Sequence, residues 1–305
     1  MSIQDAKKVK VIAEVGCNHM GQMDLAKKLI KVAAKDCGAD VVKFQKRSNK
    51  ELLSQDQYNS LHPVPSNSFG ASYGLHREAL EFDVEQHKEL KECCEENNIS
   101  YSTSVWDLTS AKEMASLNPT MLKIPSATNQ NFELQKYLCE NYPGQIHVST
   151  GMSTRDEIEN IVSFYSELGR SNDLVIYSCT SGYPVEFEDV CLLEIKTLFE
   201  QYGNRVGNFG FSGHHLGIAT DISAATIGWL LEETASASFT HIERHFTLDR
   251  TWKGTDHSAS LEPDGLRRLC RDLNNVGVAL STKSQEILEV EKVQREKLKW
   301  QASQA

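Results

Sequence analysis

The strongest constraint on the fold is a regular alternation of short apolar strands with helical segments along nearly the whole 305-residue chain. Segments rich in Val, Ile and Phe predict eight strands, at residues 10–15, 41–45, 99–104, 121–124, 145–149, 174–178, 208–211 and 239–244. A helical period of apolar residues predicts helices at residues 24–37, 84–97, 107–117, 131–141, 153–168, 190–201, 218–232 and 264–281. Strands alternating with helices favour a parallel sheet, and this number of pairs predicts a closed (β/α)8 barrel, the TIM barrel.

Residues 1–282 are expected to form this barrel domain, since no change in composition marks a second one. Residues 283–305 are charged and contain few large apolar side chains, so we expect a polar helix or tail there. Residues 47–79 contain Pro63 and Pro65 and show no clear period. Long loops inside compact domains are usually functional or disordered, and we expect one of these two for this segment.

The charge balance restricts the partners that we expect. A net charge of −10 gives no reason to expect nucleic acid or an anionic membrane surface. No stretch approaches the roughly 20 apolar residues of a membrane-spanning helix, and the first ten residues lack the apolar run of a signal peptide. The eight cysteines form no Cys-x-x-Cys pair, so we expect reduced thiols and a cytoplasmic location.

Polar side chains occur where the predicted strands end. They are Glu14, Lys43, Gln45, Ser104, Lys123, Ser126, Ser149, Tyr183, Ser212, His214, Glu243 and His245. The carboxyl ends of all strands in a TIM barrel meet at one face, where the active sites of such enzymes lie. A single Lys or Ser at a strand end is usually solvated or a helix cap, but the convergence of so many predicts a functional site.

Two lysines and several hydroxyl groups at one face indicate an anionic ligand. Lys43 and Lys123 lie on different predicted strands, and two ammonium groups suit an anion with more than one charged group. The serines supply neutral donors of the kind that surround phosphate oxygens. The turn at residues 149–152 is expected to open a helix, so its amide groups can also receive an anion.

Two histidines at consecutive strand ends indicate a metal site. His214 and His245 are expected to reach one divalent ion, and the residue types alone leave Mn²⁺, Co²⁺, Zn²⁺ and Mg²⁺ open. Such an ion would polarise a carbonyl group. The neighbouring His215 is expected to face away, because side chains alternate along a strand.

Several segments together carry a resemblance to a known family. They are IAEVGCNHMG at 12–21, ADVVKFQ at 39–45, NSFGASYGLHREALEF at 67–82, KIPSATNQN at 123–131, STGM at 149–152, CTSGYP at 179–184, FSGHHLGIA at 211–219 and IERHFTLDRTWKGTDHSASLEP at 242–263. In these segments the chain resembles the sialic acid synthase family, in particular its animal-type branch. The resemblance implies condensation of phosphoenolpyruvate with N-acetylmannosamine or a related sugar, with Mn²⁺ as the first choice of metal, and a homodimer.

The resemblance also implies roles for individual residues. His214 and His245 match the metal ligands of the family, and Glu14 matches the acid of its first strand. The positions that match its sugar contacts are Gln45, Asn67, Tyr183 and Asp256. The positions that match its phosphoenolpyruvate contacts are Lys43, Ser104, Lys123, Ser126, Ser149 and Ser212.

Two departures from the family pattern affect these expectations. Thr128 stands where the family usually has an acid, and a threonine cannot take up a proton at neutral pH. Thr128 follows Ser126 by two residues at the end of the fourth predicted strand, so we expect both side chains to face the same side. Either Glu14, Glu243 or Asp256 is then expected to serve as the base, or the substrate differs, or the activity is weak. The chain is also expected to lack the C-terminal antifreeze-like domain that is common in the family.

The sequence leaves several functions open. The aldose can be N-acetylmannosamine, its 6-phosphate or mannose, or another aldose that gives an analogue of sialic acid. A different class of function is a non-catalytic protein that binds phosphoenolpyruvate or a sugar acid, which Thr128 and the expected lack of the C-terminal domain motivate.

Overall fold

Eight parallel strands form a closed barrel in which each strand pairs with its neighbours in chain order, as the sequence predicted. The computed structural model describes residues 6–300. The strands are β1 (Lys10–Gly16), β2 (Val41–Lys46), β3 (Ser100–Val105), β4 (Met121–Ile124), β5 (Gln145–Ser149), β6 (Leu174–Cys179), β7 (Asn208–Gly213) and β8 (Ser238–His245). Each predicted strand lies within two residues of its observed bounds.

Helices surround the barrel and connect its strands. They are α1 (Met23–Val32), α2 (Asn49–Leu52), α3 (Gln55–Asn59), α4 (Tyr73–Glu78), α5 (Val84–Glu96), α6 (Leu108–Ser116), α7 (Phe132–Asn141), α8 (Arg155–Glu167), α9 (Glu194–Tyr202), α10 (Ala219–Leu231), α11 (Pro263–Ala279) and α12 (Glu289–Leu298). The main apolar core lies between the outer faces of the strands and the inner faces of these helices, and it includes Phe44, Ile176 and Trp229. Most apolar side chains are therefore buried between the strands and the helices and not inside the barrel. The upper part of the barrel interior can then hold polar groups.

The start of α8 differs by one residue from the prediction. We expected Ser153 to open this helix, but Thr154 is the cap, and its hydroxyl accepts a hydrogen bond from the amide of Glu157. The carboxylate of Glu157 accepts one from the amide of Thr154 in return, which is a capping box. The helix therefore begins after Thr154. The turn at residues 149–152 precedes this cap and does not itself open the helix, contrary to our expectation.

Strand pairing places the polar residues of neighbouring strands side by side. Glu14 pairs with Lys43 on β2 and with His245 on β8. Ser212 pairs with Glu243 across β7 and β8. Because parallel strands keep these pairs level, residues far apart in sequence lie in one layer at the carboxyl end of the barrel.

The segment between β2 and α5 is more structured than its irregular sequence suggested. It contains the short helices α2, α3 and α4 and a 3₁₀ turn at Pro65–Asn67. Ser54 and Ser72 cap α3 and α4 by accepting hydrogen bonds from backbone amides. The segment therefore carries its own local structure at the carboxyl side of β2.

Helix α12 lies within the stretch for which we expected a polar helix or tail. None of its residues is buried, and Val290 and Leu298 are exposed. The division into a barrel domain and a C-terminal segment stays a prediction. No helix in residues 6–300 combines the length and apolar character needed to cross a membrane.

Candidate active site

A cavity of about 270 Å³ opens at the carboxyl ends of the strands. It is lined by twelve of the predicted residues: Glu14, Lys43, Gln45, Ser104, Lys123, Ser126, Ser149, Tyr183, Ser212, His214, Glu243 and His245. The alternation of side chains along the strands explains this result. Interior residues such as Ile12, Val41 and Met121 form a small apolar cluster, and the charged residue two positions later points into the cavity above it.

Two buried lysines and two buried glutamates form a connected network in the cavity. The ammonium group of Lys43 lies 2.6 Å from Glu14 and 3.7 Å from Glu243, and it donates a hydrogen bond of 2.7 Å to Ser104. Lys123 donates to Glu243 at 2.6 Å. All four charged residues are less than 5% exposed, so their charges interact with little screening by water.

The network shifts the pKa values of the two carboxyl groups in opposite directions. Burial raises the pKa of Glu14, and the nearby ammonium group of Lys43 offsets only part of this effect. Burial acts in the same direction on Glu243, but the ammonium groups of Lys123 and Lys43 outweigh it and lower its pKa to about 2. Glu243 is therefore a fixed negative charge at neutral pH, while Glu14 is the carboxyl group that holds a proton more readily.

The two lysines differ in the same way. Burial alone would lower the pKa of Lys43, but Glu14 and Glu243 raise it above its ordinary value. Burial lowers the pKa of Lys123, and its pairing with Glu243 offsets only part of the effect. The ammonium group of Lys123 also lies 4.5 Å from the centre of the Tyr177 ring, and this cation–π contact stabilises its positive charge.

His214 and His245 face the same cavity, with ring centres 5.3 Å apart. Nδ1 of His214 lies 2.9 Å from the carbonyl oxygen of Thr180, so this nitrogen donates the proton and Nε2 keeps its lone pair. Burial lowers the pKa of His214 to about 3, with a smaller contribution from His245. A neutral imidazole held by a backbone carbonyl group is the form in which histidine binds a metal.

A divalent metal ion fits this pair of imidazoles. Nδ1 of His245 is buried, has no hydrogen-bond partner within the described residues, and lies 3.8 Å from a carboxylate oxygen of Asp256. No group of three or more His, Cys, Asp or Glu side chains in residues 6–300 is arranged to hold a metal. The protein would therefore supply two nitrogen ligands, and water or substrate oxygens would supply the others.

Three predicted residues do not line the cavity. Asp256 lies in the loop after β8, and its carboxylate is 3.8 Å from Nδ1 of the cavity residue His245. Asn67 ends the 3₁₀ turn at Pro65–Asn67 and is half-buried outside the cavity lining. Thr128 was expected to share a face with Ser126, but residues 126–128 form a 3₁₀ turn after Pro125 rather than a strand. A turn with three residues per revolution sends these two side chains in different directions. The Thr128 hydroxyl is buried and has no hydrogen-bond partner in residues 6–300.

The structure adds cavity residues that the sequence argument missed: Trp106, Pro125, Ala127, Met152, Cys179 and Ser181. Trp106 and Cys179 stand at or directly after the ends of β3 and β6, so the strand-end rule could have found them. Polar character was the criterion, and it overlooked both. Burial raises the pKa of the Cys179 thiol, which makes it a neutral part of the wall.

His215 faces away from the cavity, as expected. It is fully buried between β7, β8 and α10, where its Nε2 lies 3.2 Å from Asp221. Arg244, the strand neighbour of two cavity residues, donates a hydrogen bond of 2.5 Å to the same carboxylate. This buried network fixes the outer side of the two strands that carry His214 and His245.

A parallel eight-stranded barrel with convergent lysines, carboxylates and imidazoles at its carboxyl face defines the class: a TIM-barrel enzyme. Residues 29–285 match the model of the NeuB family. The chain is 35% identical over 294 residues to the human N-acetylneuraminate-9-phosphate synthase, and the match covers 94% of this chain and 76% of the human protein. The chain therefore belongs to the NeuB family and is an enzyme of the sialic acid synthase type.

Other relatives extend the comparison. The N,N'-diacetyllegionaminic acid synthase of Campylobacter jejuni is 33% identical over 275 residues, which cover 90% of this chain and 78% of that protein. The crystal structure of the N-acetylneuraminic acid synthetase of Leptospira borgpetersenii, in complex with citrate, superposes with a TM-score of 0.76 and 26% identity. That match covers 97% of this chain and 94% of the Leptospira chain.

Proposed function

We propose that the protein condenses phosphoenolpyruvate with N-acetylmannosamine or a close relative of it, giving a nonulosonic acid and inorganic phosphate. The observation that carries the proposal is the pair of buried ammonium groups, Lys43 and Lys123, at the cavity where the imidazoles of His214 and His245 also converge. The names of the relatives support the same reaction class.

Phosphoenolpyruvate carries a carboxylate and a phosphate, and the cavity offers donors for both. Lys43 and Lys123 would each exchange part of their contact with Glu14 or Glu243 for an oxygen of the substrate. The remaining donors are neutral hydroxyl groups, which stabilise anionic oxygens without adding charge: Ser104, Ser126, Ser149 and Ser212. The cavity thereby receives an anion although the protein as a whole is acidic.

The reaction forms one carbon–carbon bond and breaks one carbon–oxygen bond. The electron pair of the enol double bond attacks the aldehyde carbon of the open-chain sugar, and the aldehyde oxygen takes a proton. Water adds to the resulting cationic C2 and gives up a proton. The C–O bond between C2 and the bridging oxygen then breaks, and phosphate leaves with this oxygen. The C2 hydroxyl group gives up its proton to the departing phosphate, which leaves a keto acid. The chain's residues align the two substrates and keep other water out.

A divalent metal ion, Mn²⁺ in the first instance and Mg²⁺ or Co²⁺ as alternatives, would be held by His214 and His245 and would withdraw electron density from the aldehyde oxygen. Tyr183 lies against both imidazoles, with ring centres 4.4 Å from His214 and 5.7 Å from His245. We assign Gln45, Tyr183 and Asp256 to the sugar, because they line or adjoin this side of the cavity.

Proton transfer is assigned to Glu14. Glu14 lies between Lys43 and Gln45, and the amide of Gln45 donates to it at 3.1 Å. These contacts support the assignment, because Lys43 is proposed to bind phosphoenolpyruvate and Gln45 the sugar. Glu243 accepts from Lys123 and Ser212 and serves instead to orient these two donors. This division of work removes the need for an acid at position 128.

The proposed sugar substrates are N-acetylmannosamine, its 6-phosphate and mannose, and the assay described below decides among them. We also propose that the protein is a homodimer and that it is located in the cytoplasm. The relatives act on more than one sugar, since they include synthases of legionaminic and pseudaminic acid. All eight cysteines are free thiols, which agrees with a reducing compartment.

The test is phosphate release from phosphoenolpyruvate with a panel of aldoses, with and without Mn²⁺, and mass analysis of the product. We expect release only when an aldose and a divalent ion are both present. His214→Ala should weaken Mn²⁺ binding, measured by the signal of free Mn²⁺ in electron paramagnetic resonance, while the far-ultraviolet circular dichroism stays that of the wild type.

Two results would contradict the proposal. Phosphate release in the presence of a chelator would exclude the metal, and unchanged Mn²⁺ binding in both His214→Ala and His245→Ala would exclude the two-imidazole site. A lack of turnover with every aldose, together with binding of phosphoenolpyruvate, would favour the non-catalytic binding protein.

A further inference from the structure

A layer of aromatic side chains occupies the interior of the barrel below the active-site cavity. Tyr177 on β6, His147 on β5 and His241 on β8 are each no more than 2% exposed. The ring centre of His147 lies 5.5 Å from that of Tyr177 and 4.7 Å from that of His241. Neighbours along the strands, such as Ile146 and Ile176, belong to the core outside the barrel, so these three rings point inward.

Packing and one hydrogen bond fix the position of the Tyr177 ring. Its hydroxyl group lies 2.8 Å from Nδ1 of His147. Gly210 pairs with Tyr177 across β6 and β7, and a Cβ atom at Gly210 would come within 2.7 Å of a carbon of the Tyr177 ring. The glycine therefore makes room for the ring. Burial raises the pKa of Tyr177 well above its ordinary value and lowers the pKa of His147 well below its own, so both groups are neutral at physiological pH.

The ammonium group of Lys123 lies over the Tyr177 ring, 4.5 Å from its centre. Lys123 lines the cavity, whereas Tyr177 is fully buried outside the cavity lining. The ring therefore contacts the ammonium group from the side that faces away from the cavity. Two further contacts of this group, Glu243 at 2.6 Å and Ser212 at 3.4 Å, are with residues of the cavity lining. Of these three contacts, the one with the ring is the contact with which an anion in the cavity does not compete.

This contact has a consequence for the binding of an anion. In the reaction proposed above, Lys123 exchanges part of its contact with Glu243 for an oxygen of phosphoenolpyruvate. A lysine side chain is flexible, and fixing it in one conformation when a ligand binds reduces the affinity. The face of the Tyr177 ring attracts the cation before the ligand arrives, and this attraction is stronger where the cation is desolvated. Binding then costs less, because the ammonium group is already in place.

We propose that Tyr177, held by His147, is a positioning residue that keeps the ammonium group of Lys123 directed into the cavity for the binding of phosphoenolpyruvate, an inference that rests on the function proposed above. Tyr177 acts through Lys123 and does not touch the substrate, so it changes the affinity for phosphoenolpyruvate and takes no part in bond formation. His147 acts one step further away, because it holds the hydroxyl group of the ring.

The first test measures the Kd of phosphoenolpyruvate by isothermal titration calorimetry in the presence of Mn²⁺. Tyr177→Leu removes the ring and should raise Kd by about 5- to 30-fold, the effect of losing a buried cation–π contact. Tyr177→Phe keeps the ring and should stay within about threefold of the wild type.

Tyr101→Leu is the matched control. Tyr101 is also buried, and its hydroxyl group also lies close to a histidine, 2.7 Å from Nδ1 of His87, but it packs in the core outside the barrel. Both Tyr101→Leu and Tyr177→Leu should lower Tm, because each removes a large buried side chain. We expect Tyr101→Leu to leave the Kd of phosphoenolpyruvate unchanged.

A second variant keeps the shape of the ring, in case Tyr177→Leu does not fold. Replacement of Tyr177 by pentafluorophenylalanine withdraws electron density from the ring face and changes the volume of the side chain little. The Kd should then be higher than in Tyr177→Phe, because the face no longer attracts the ammonium group. In steady-state kinetics the KM for phosphoenolpyruvate should increase together with Kd in this variant and in Tyr177→Leu, while kcat and the KM for the sugar stay within about threefold.

Three results would overturn the proposal: an unchanged Kd in Tyr177→Leu, an equal increase of Kd in Tyr101→Leu, and equal Kd values for Tyr177→Phe and the pentafluorophenylalanine variant. These results differ from a failure of the reaction itself. A wild type that binds phosphoenolpyruvate but releases no phosphate with any aldose contradicts the proposed synthesis, and the comparison of Kd values still decides the role of Tyr177. A wild type that does not bind phosphoenolpyruvate would contradict both.

Discussion

At the scale of single residues, the site depends on carboxyl groups that have the same chemistry and different surroundings. Glu14 and Glu243 both touch Lys43, but only Glu243 also accepts from Lys123. The second ammonium group lowers the pKa of Glu243, whereas burial dominates at Glu14 and raises its pKa. A sequence shows that both are glutamates at strand ends, but it does not show how many cations each one meets.

The assignment of proton transfer to Glu14 gives a direct kinetic prediction. Glu14→Gln should lower kcat by about 10²- to 10⁴-fold, the usual effect of removing a general acid or base. The KM for phosphoenolpyruvate should not increase, because Lys43 then has no carboxylate in competition with the substrate. Glu113→Gln, which removes the partner of Lys46 outside the cavity lining, is the control and should keep kcat. A Glu14→Gln enzyme with wild-type kcat would exclude this role.

Thr128 gives a second prediction at this scale. Its hydroxyl is buried and has no partner in the part of the chain that the structure describes, so Thr128→Val should keep or raise the free energy of unfolding and change kcat/KM by less than about threefold. Thr128→Glu would bury a carboxyl group without a partner and should lower the free energy of unfolding by about 1–3 kcal/mol. Urea denaturation and kinetics measure both. A large loss of kcat in Thr128→Val would show that Thr128 takes part in the reaction.

At the scale of secondary-structure elements, the sequence predicted the barrel strands closely and the turns between them poorly. Residues 121–124 are a strand in both the prediction and the structure, because their apolar side chains are enough to define a buried strand. The next residues were treated as an extension of that strand, but Pro125 ends it and a 3₁₀ turn follows. The error at Thr128 follows from this local change of period, and no apolar pattern signals it.

The same limit applies to the segment after β2. Its short helices are too brief to show an apolar period, so neither their existence nor the burial of Arg77 could be predicted. Trp106 was missed for another reason: it directly follows a strand, but only polar residues at strand ends were considered. The prediction of the site was therefore good for strand-borne polar residues and poor for loop-borne and apolar ones.

The network between β8 and α10 gives a prediction for these elements. Arg244 and Asp221 are fully buried, and Asp221→Ala would leave a buried guanidinium without its carboxylate. We expect the free energy of unfolding to fall by about 3–5 kcal/mol. Glu194→Ala breaks a partly exposed pair with Arg155 and should cost less than about 1 kcal/mol. Similar losses in the two variants would show that the buried pair does not hold the strands.

At the scale of the whole molecule, all ten histidines are buried. Burial lowers the pKa values of His19, His87 and His241 to about 3 in each case. These imidazoles stay neutral in the folded protein and become charged on unfolding below their ordinary pKa of about 6.5. The unfolded state then binds more protons, so acid favours it.

The resulting prediction concerns stability against pH. The contribution of each of these histidines is fully present above about pH 6.5 and is lost as the pH falls toward about 3, with a slope on the order of 1 kcal/mol per pH unit. His87→Phe should make the fall in unfolding free energy between pH 6 and pH 4 less steep by about one proton. Urea denaturation at several pH values measures the slope, and equal slopes in both proteins would refute this account.

The raised pKa values of two thiols near the cavity, Cys17 and Cys179, have a consequence under oxidative stress. Peroxide attacks the thiolate form, and a thiol with a pKa of about 11, such as Cys17, is ionised in fewer than about one molecule in a thousand near neutral pH. Burial protects Cys179 in the same way, whereas Cys191 is exposed. Mild peroxide should therefore modify Cys191 first and leave the rate of synthesis intact, which peptide mass analysis alongside the activity assay would show. The enzyme would then keep its activity after a surface thiol is oxidised, although Cys179 lines the cavity and Cys17 lies 3.9 Å from the amide oxygen of Gln45.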